Sequence, residues 1–343
     1  MIVGLSIEAT GVVSAVRPAA GAPPETVSGG DLTTVFRSPA TRCVVAVPDR
    51  WLDGSADGVR QADHWRRILL EAGAGDPRFV ARSVACAGER DAVVHDLSGH
   101  SVTVSVLRDG VLTDSVTEIP PGDGDVLTRL AATVPGPAGA RRAELVLARA
   151  ATTARYRQTP LYHGLTAGEI LDAWAPVDAA IRRCQKALTG TDRLPVVRIG
   201  ALAHIPAGPS PATGTSPVAA TEGALRLAET DGSTRSGYPY LLTLPVHRVH
   251  RGELCSQRLT IAEPGDPAPS WTRRATPPIE VPPGAPGRFT VEHSAGAEPT
   301  VLTLPDVPPG TYRVRVWPAF RGPGVLGWFP ADGGAPHLTE LPT

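Results

Sequence analysis

Pairs of a nucleophile and a base are the first chemistry that the residue spacing suggests. His100 precedes Ser101, and an imidazole beside a hydroxyl is a possible general base. Consecutive residues of a strand point to opposite faces, however, so this pair is not predicted to react. The stretch 164–168 has the spacing of a nucleophile elbow with Thr166 in place of serine. No strand pattern precedes it, so the start of a helix is the better interpretation.

A lysine-dependent phosphate loop is excluded, and a cysteine-based metal site is disfavoured. The G-x-x-x-x-G-K-[ST] loop requires a lysine directly after a glycine, and the single lysine of the chain, Lys186, follows a glutamine. The four cysteines are far apart and form no C-x-x-C pair, so we expect neither a metal cluster nor a disulfide framework. These cysteines are Cys43, Cys86, Cys184 and Cys255.

Charge and hydropathy limit the classes of partner. The 33 Lys and Arg residues balance the 34 Asp and Glu residues, and a net charge of -1 gives no general attraction to nucleic acid or to an anionic membrane. The N-terminus lacks a basic region before an apolar stretch, and no apolar run approaches the ~18 residues of a membrane span. We therefore expect a cytoplasmic protein with neither nucleic-acid binding nor membrane insertion. The preference for Arg over Lys, with abundant Ala, Gly and Pro, indicates a GC-rich bacterial genome.

The elements that must position any site alternate between strands and helices in the first two thirds of the chain. This alternation predicts an α/β domain over residues 1–232. The strand patterns form two hairpins, one at the N-terminus and one near residue 100, and a further strand ends in Gly200. The predicted strands are 2–7, 12–16, 44–48, 92–97, 101–107 and 195–200, and the predicted helices are 57–72, 126–134, 169–188 and 218–228.

The sequence pattern changes after Tyr238, where no helical period persists and Pro-rich turns separate short candidate strands. The clearest of them, residues 311–317, alternates apolar and polar positions. We predict a small β-sandwich over residues 238–330, followed by a tail over 331–343. The other predicted strands are 241–249, 257–262, 288–293 and 299–304. His247 and His250, with Arg248 and Arg251, are interpreted as an exposed strand edge.

Short segments that follow one another in the same order resemble the ATPase domain of the DnaK-type chaperones, within the actin, hexokinase and heat-shock chaperone superfamily. Residues 3–10 resemble the first phosphate loop, V-G-I-D-L-G-T-T, and residues 96–105 resemble the second, D-L-G-G-G-T-F-D-V-S. Residues 199–206 resemble the adenosine motif V-G-G-S-S-R-I-P. Supporting matches are 44–48 with V-V-I-T-V-P, 59–62 with R-Q-A-T, 165–170 with L-T-R-x-E-F, and 218–224 with A-V-A-R-G-A-A.

The resemblance covers about residues 1–228 and implies an actin-like, ribonuclease-H-like fold with two lobes that hold ATP or ADP with Mg²⁺. Much of one subdomain is missing, because residues 17–43 are too few to form it. In such folds two glycine-containing hairpin turns present backbone N–H groups to phosphates, and a carboxylate holds the hydrated cation. Carried over position by position, the resemblance assigns phosphate contacts to Thr10, Gly99 and Ser101, nucleoside contacts to Gly200 and Ala201, and the metal to Asp96.

Several positions depart from the family pattern in ways that weaken catalysis. Ser6 replaces the aspartate of the first loop, and Glu8 replaces a glycine that lets the phosphate approach. Residues 81–85, Ala-Arg-Ser-Val-Ala, replace E-P-T-A-A and so remove the carboxylate that positions the attacking water. Phosphoryl transfer needs the cation, the water-orienting group and the phosphate cradle together. The sequence therefore predicts a pseudo-ATPase.

Three functions follow as hypotheses. The first is a DnaK-like pseudo-ATPase that binds a specific protein partner as a chaperone-like or assembly scaffold. The second is a slow actin-fold ATPase or small-molecule kinase in which Glu8 or Asp96 binds Mg²⁺. The third is carbohydrate or peptide binding by an aromatic platform on the β domain. That platform would consist of Trp271, Tyr312, Trp317, Phe320 and Trp328.

Overall fold

A computed structural model provides the coordinates of this chain. The structure describes residues 1–8, 11–18, 22–28, 32–36, 42–75, 77–97, 101–121, 137–162, 164–188, 194–200, 202–203, 213–214, 219–230, 238, 240–250, 253–264, 275–283, 288–293, 300–303, 307–318 and 324–341.

The helices are mostly short and lie between strands along the first part of the chain. They are α1 (Leu32–Val35), α2 (Ala56–Glu71), α3 (Arg82–Ala87), α4 (Pro137–Thr152), α5 (Ala167–Ala187) and α6 (Ala219–Glu229). The strands of the same part are β1 (Ile2–Glu8), β2 (Gly11–Arg17), β3 (Glu25–Ser28), β4 (Arg42–Val47), β5 (Pro77–Ala81), β6 (Ala92–Asp96), β7 (Val102–Arg108), β8 (Val111–Glu118), β9 (Pro160–Tyr162), β10 (Leu165–Thr166), β11 (Val196–Ile199) and β12 (Thr213–Gly214).

Strands alone follow in the C-terminal part of the described chain. They are β13 (Tyr240–His250), β14 (Glu253–Ala262), β15 (Ile279–Val281), β16 (Arg288–His293), β17 (Thr300–Thr303), β18 (Gly310–Trp317), β19 (Val325–Pro330) and β20 (His337–Glu340).

Contacts between residues divide the chain into two compact units. Unit 1 contains Met1–Asp49 and Ala81–Thr230, and unit 2 contains Arg50–Val80 and Asp231–Thr343. Unit 2 is discontinuous along the chain, because Arg50–Val80 belongs to it together with the C-terminal part. The predicted division into residues 1–232, 238–330 and a tail over 331–343 stays a prediction. Within unit 2, the backbone N–H of Ala56 at the start of α2 donates to Glu340 Oε1 at 2.7 Å. The N-cap of α2 is Ser55, whose side chain accepts from the N–H of Gly58 at 3.1 Å, and Glu340 of β20 satisfies one further N–H of the first turn.

Unit 1 repeats one strand arrangement in two sheets. The strands that unit 1 contributes to the first sheet follow the order β3-β2-β1-β4. The second sheet has the order β12-β11-β6-β7-β8. Each sheet contains an antiparallel meander, which starts with β1 in the first sheet and with β6 in the second. The first strand of each meander also pairs in parallel with a strand from later in the chain, β1 with β4 and β6 with β11. This repeated order is that of the actin-like, ribonuclease-H-like fold, so the predicted fold class is confirmed. Only residues 29–41 separate β3 from β4, which leaves little room for a subdomain there.

Helix α5 covers the second sheet through an apolar face. Ile170, Trp174, Val177 and Ile181 of this helix share one buried cluster with residues of β6 and β7. Its start is defined by a capping box, in which the N–H of Glu169 donates to Thr166 Oγ1 at 3.3 Å and the N–H of Thr166 donates to the Glu169 carboxylate at 2.7 Å. Thr166 is therefore the N-cap of α5, and the helix start predicted at this position is confirmed.

Helix α6 approaches β1 and α3 so closely that glycine is required at both contacts. A Cβ at Gly4 would lie 2.3 Å from the backbone nitrogen of Leu225. A Cβ at Gly223 would lie 1.8 Å from the carbonyl oxygen of Ala85. Both distances are well inside van der Waals contact, so these glycines set the depth at which the helix packs.

Unit 2 contains the predicted β-sandwich, which is confirmed. One sheet has the order β14-β13-β16-β17 and the other has β15-β18-β19-β20, and all of the pairs given for them are antiparallel. Leu242 and Leu244 of the first sheet share a buried cluster with Val314, Val316 and Leu326 of the second. Two sheets that bury one common core form a sandwich.

Several elements of the structure were not predicted from the sequence, and one predicted helix lies outside the described residues. The short unpredicted elements include α1, α3, β3, β5, β9, β10, β12 and β15. Helix α4 was not predicted, and the predicted helix 126–134 lies outside the described residues. Strands β19 and β20 were also not predicted, and β20 lies within the segment 331–343 that the sequence analysis assigns to a tail. No helix in the described part of the chain is both long and apolar enough to cross a membrane.

Candidate functional site

The carboxyl ends of β1 and β6 meet at one buried side chain, that of Arg82. Its Nη1 donates to Asp96 Oδ2 at 2.8 Å, and its Nη2 donates to the carbonyl oxygen of Ile7. The side chains of Arg82 and Asp96 are only 2% and 6% exposed. The guanidinium thus connects the carboxyl ends of the two strands that lead into the two hairpin turns.

Arg82 reaches this position because it is the first residue of α3. The helix follows β5 directly and ends at Gly88, whose φ of 65° favours glycine. Ala81 at the N-cap offers no side-chain hydrogen bond. That role falls to Asp49, whose Oδ1 accepts from the N–H of Ser83 at 3.1 Å. A residue beyond β4 therefore holds the first turn of α3.

Asp49 is itself fully buried and connects α3 with β7. Its Oδ2 accepts from Ser105 Oγ at 2.6 Å, and this hydroxyl also lies 3.2 Å from Ser115 Oγ. Burial raises the pKa of the Asp49 carboxyl, the two serine hydrogen bonds oppose this effect, and the charge of Asp96 adds to it. Asp49 and Asp96 are thus two neighbouring buried carboxyl groups, of which Asp96 is ion-paired with Arg82.

Beside Asp96 in sequence, His95 is buried with an exposed fraction of 2%. In the described part of the chain neither of its ring nitrogens has a hydrogen-bond partner. Burial and the nearby charge of Arg198, which lies opposite it on β11, lower the pKa of His95 to about 4. The imidazole is therefore neutral at physiological pH.

The structure brings several of the predicted site residues together at the same end of the second sheet. Asp96 pairs in register with Ile199, and the N–H of Leu97 donates to the Ile199 carbonyl at 2.9 Å. Gly200 follows with a φ of 91°, and it is half-buried. Ser101 lies directly before β7 and is also half-buried. This end of the sheet carries the carboxylate and the glycine that the resemblance assigns to metal and nucleoside.

Other predicted positions lie outside the described residues. These are Thr10, Gly99, Ala201 and His100, together with the side chain of Glu8. Their assignments stay predictions. Among the described residues no group of three or more His, Cys, Asp or Glu side chains is arranged to hold a metal ion.

The aromatic platform proposed for the β domain is not supported by the described residues. Tyr312, Trp317 and Trp328 have exposed fractions of 4%, 0% and 3%. Tyr312 packs edge-to-face on Trp328 with ring centroids 6.0 Å apart, and both belong to the core of the sandwich. These side chains stabilise the fold and offer no surface to a ligand, and Trp271 and Phe320 lie outside the described residues.

Arg82 and Asp49 were missed as site residues by the sequence analysis. In the sequence, Arg82 lies in the segment 81–85, where the resemblance implies a lost carboxylate, and a new cation at such a place is itself a signal. Asp49 follows Val44–Pro48, and an acidic residue directly after a strand suits an N-cap or a site. Neither signal identifies the partner, because Asp96 is 14 residues from Arg82 and Ser105 is 56 residues from Asp49.

Comparisons with known proteins give structural similarity alone. No family model matches the chain, and no curated protein matches its sequence. Similar solved structures include the ethanolamine utilization protein EutJ from Carboxydothermus hydrogenoformans, with 16% identity, 65% of this chain and 88% of that chain covered, and a TM-score of 0.36. MreB 5 of Spiroplasma citri bound to AMPPNP has 10% identity, 67% and 96% coverage, and a TM-score of 0.41. The ROK hexokinase from Thermus thermophilus has 17% identity, 67% and 99% coverage, and a TM-score of 0.36.

Proposed function

We propose that this protein is a DnaK-like pseudo-ATPase, an actin-like unit that acts as a scaffold for one specific protein partner. The observation that supports the loss of activity is the ion pair between Arg82 and Asp96. Asp96 is the residue that the resemblance assigns to the hydrated Mg²⁺. In this chain its carboxylate is already neutralised by a cation from the same polypeptide.

Electrostatics explain why such an ion pair opposes metal binding. A divalent cation binds through several oxygen ligands, and carboxylates supply the negative charge. A guanidinium next to Asp96 cancels that charge and repels a second cation by about 4 kcal/mol per unit charge at ~4 Å in a medium of dielectric constant ~20. Together with Glu8 in place of a phosphate-loop glycine, this disfavours both the metal and the phosphate of a nucleotide.

The partner is assigned to the sandwich of unit 2. The resemblance to chaperone ATPases ends near residue 228, before the first strand of the sandwich at Tyr240, so the surface of the sandwich is free to have a different role. Strand β14 lies at the edge of its sheet among the described strands. Six of its described residues are exposed, namely Glu253, residues 255–258 and Thr260. Exposed strand edges bind partner segments through backbone hydrogen bonds.

The test is calorimetric titration of the whole chain with ATP and ADP, each with and without Mg²⁺. The whole chain is used because Arg50–Val80 belongs to unit 2, so a fragment ending near residue 232 would separate this segment from the rest of its unit. We expect no Mg²⁺-dependent binding and no phosphate release. A Glu8→Gly variant is the matched control, and regained nucleotide binding in it would indicate that the fold persists as a scaffold. Tight, Mg²⁺-dependent binding by the natural sequence would refute the proposal in favour of the slow ATPase.

A further inference from the structure

Three elements of unit 1 are joined by the first two residues of α3. Arg82 binds the end of β6 through Asp96 and the end of β1 through the Ile7 carbonyl. Ser83 binds Asp49 beyond β4 through its backbone N–H. The same Asp49 accepts from Ser105 in β7. Both sheets of unit 1 are therefore connected through polar contacts at one buried position.

We propose that Arg82 is a built-in cation that holds the ends of β1 and β6 together without any ligand. The inference rests on the proposed function, because it assigns to a side chain the bridging position that a bound nucleotide and its metal would otherwise take. The actin-like unit then has one arrangement of its two hairpins, independent of nucleotide. A constant arrangement is what a scaffold requires.

The chemistry of the guanidinium suits this role. It is planar, permanently charged and carries five N–H donors in a fixed geometry, so one side chain binds two acceptors in different directions. Here the acceptors are a carboxylate and a backbone carbonyl in different sheets. A lysine offers a point charge and does not reproduce this geometry, so Arg82→Lys is expected to keep only part of the effect.

Asp49 serves as the positioning residue for Arg82. Its hydrogen bond to the N–H of Ser83 fixes the residue that follows Arg82, and its bond to Ser105 fixes the carboxyl group relative to β7. Burial makes both bonds costly to lose, because an unpaired group in this place has no access to water. The backbone that carries the guanidinium is thus held from β4 and from β7.

The first measurement uses the natural protein and hydrogen exchange. Amides at the carboxyl ends of β1 and β6, such as that of Leu97, are expected to be strongly protected without ligand, and addition of ATP with Mg²⁺ leaves their rates unchanged within about twofold. Rapid exchange at both strand ends that slows only when ATP with Mg²⁺ is added would overturn the proposal. This readout needs no variant, so it holds even if the variants fail to fold.

The second measurement is chemical rescue of Arg82→Ala. Removing one partner of a buried ion pair is expected to speed exchange at both strand ends by about 100-fold or more. Ethylguanidinium at millimolar concentration is expected to reverse part of this increase, because the free cation occupies the space that the arginine side chain has left. The expected reversal is at least about a tenth of the increase in the logarithm of the exchange rate. Arg198→Ala removes another buried arginine of the second sheet and is the matched control, for which no rescue is expected. Equal rescue in both variants, or none in Arg82→Ala, would refute the role of Arg82.

These outcomes are distinguishable from those of the proposed function. Nucleotide binding by the natural protein in the calorimeter would refute the pseudo-ATPase, yet rescue by ethylguanidinium would still show that Arg82 joins the strand ends. Conversely, if the natural protein binds no nucleotide and Arg82→Ala is not rescued, the pseudo-ATPase proposal stands and the role of Arg82 is refuted.

Discussion

The replacement of His95 by leucine is expected to make unit 1 less sensitive to acid. The imidazole is buried beside Arg198, and its pKa is lowered from 6.5 to about 4. Unfolding exposes the ring to water, where its pKa returns to about 6.5, so the unfolded state binds more protons below that pH. The stability contribution is therefore complete above pH 6.5 and is lost as the pH falls towards 4.

The magnitude follows from the size of the pKa change. A decrease from 6.5 to about 4 corresponds to about 3 kcal/mol between the two protonation states at full titration. Between about pH 7 and about pH 5, the linkage relation gives a loss of about 2 kcal/mol in the free energy of unfolding from this residue alone. Asp49 acts in the opposite direction at low pH because its pKa is raised, but this effect is common to the natural protein and the variant.

The assay is urea unfolding at a series of pH values, compared between the natural protein and His95→Leu. Leucine is chosen because neither ring nitrogen has a hydrogen-bond partner among the described residues, so an apolar side chain removes no hydrogen bond. Between about pH 7 and about pH 5, the free energy of unfolding is expected to fall by about 2 kcal/mol less in the variant than in the natural protein. His64→Gln, at an exposed position of α2, is the control and should keep the natural profile. Parallel profiles for the natural protein and His95→Leu would refute the reasoning.

Three further predictions concern packing, capping and thiol chemistry. Gly223→Ala places a methyl group 1.8 Å from a carbonyl oxygen of α3 and should lower the free energy of unfolding in urea by about 3 kcal/mol. Gly88→Ala, at a φ of 65° but with open space around the added methyl group, should lower it by about 1 kcal/mol. Equal losses in the two variants would contradict the close contact at Gly223. Thr166→Ala removes the cap of α5 and should cost about 1 kcal/mol, whereas Thr166→Ser should restore most of it. Burial raises the pKa of the Cys43 thiol to about 12, so a thiol reagent at neutral pH should label exposed Cys255 and spare Cys43 until the protein unfolds; equal labelling rates in the native protein would refute this.

Local patterns were sufficient for most of the elements. The helix predicted over 57–72 is α2, the helix over 169–188 is α5, and five predicted C-terminal strands correspond to β13, β14, β16, β17 and β18. Periodicity identifies such elements because the spacing of the apolar residues within a segment shows which face of the helix or strand is buried. Strands β19 and β20 were missed because the burial of β19 depends on pairing with β18 and that of β20 on pairing with β19, which a short segment does not record.

The site was predictable only in part. The position of Asp96 at the end of a strand and the small residue Gly200 at the end of another were visible in the sequence, and the parallel pairing of β6 with β11 brings them to one edge. The resemblance also predicts that a carboxylate is missing near Arg82. It did not show that Arg82 itself binds Asp96, since a solvent-exposed arginine at the start of a helix would have the same local pattern.

The sequence by itself determined the kinds of most elements, their order and the two hairpins, because these depend on residues that are neighbours along the chain. Tertiary structure decided which distant groups meet. Asp49 caps a helix that begins 33 residues later, at Arg82, which in turn joins the ends of two strands from different sheets. Such a buried polar network is stable only when every partner is in place, and folding alone brings those partners together.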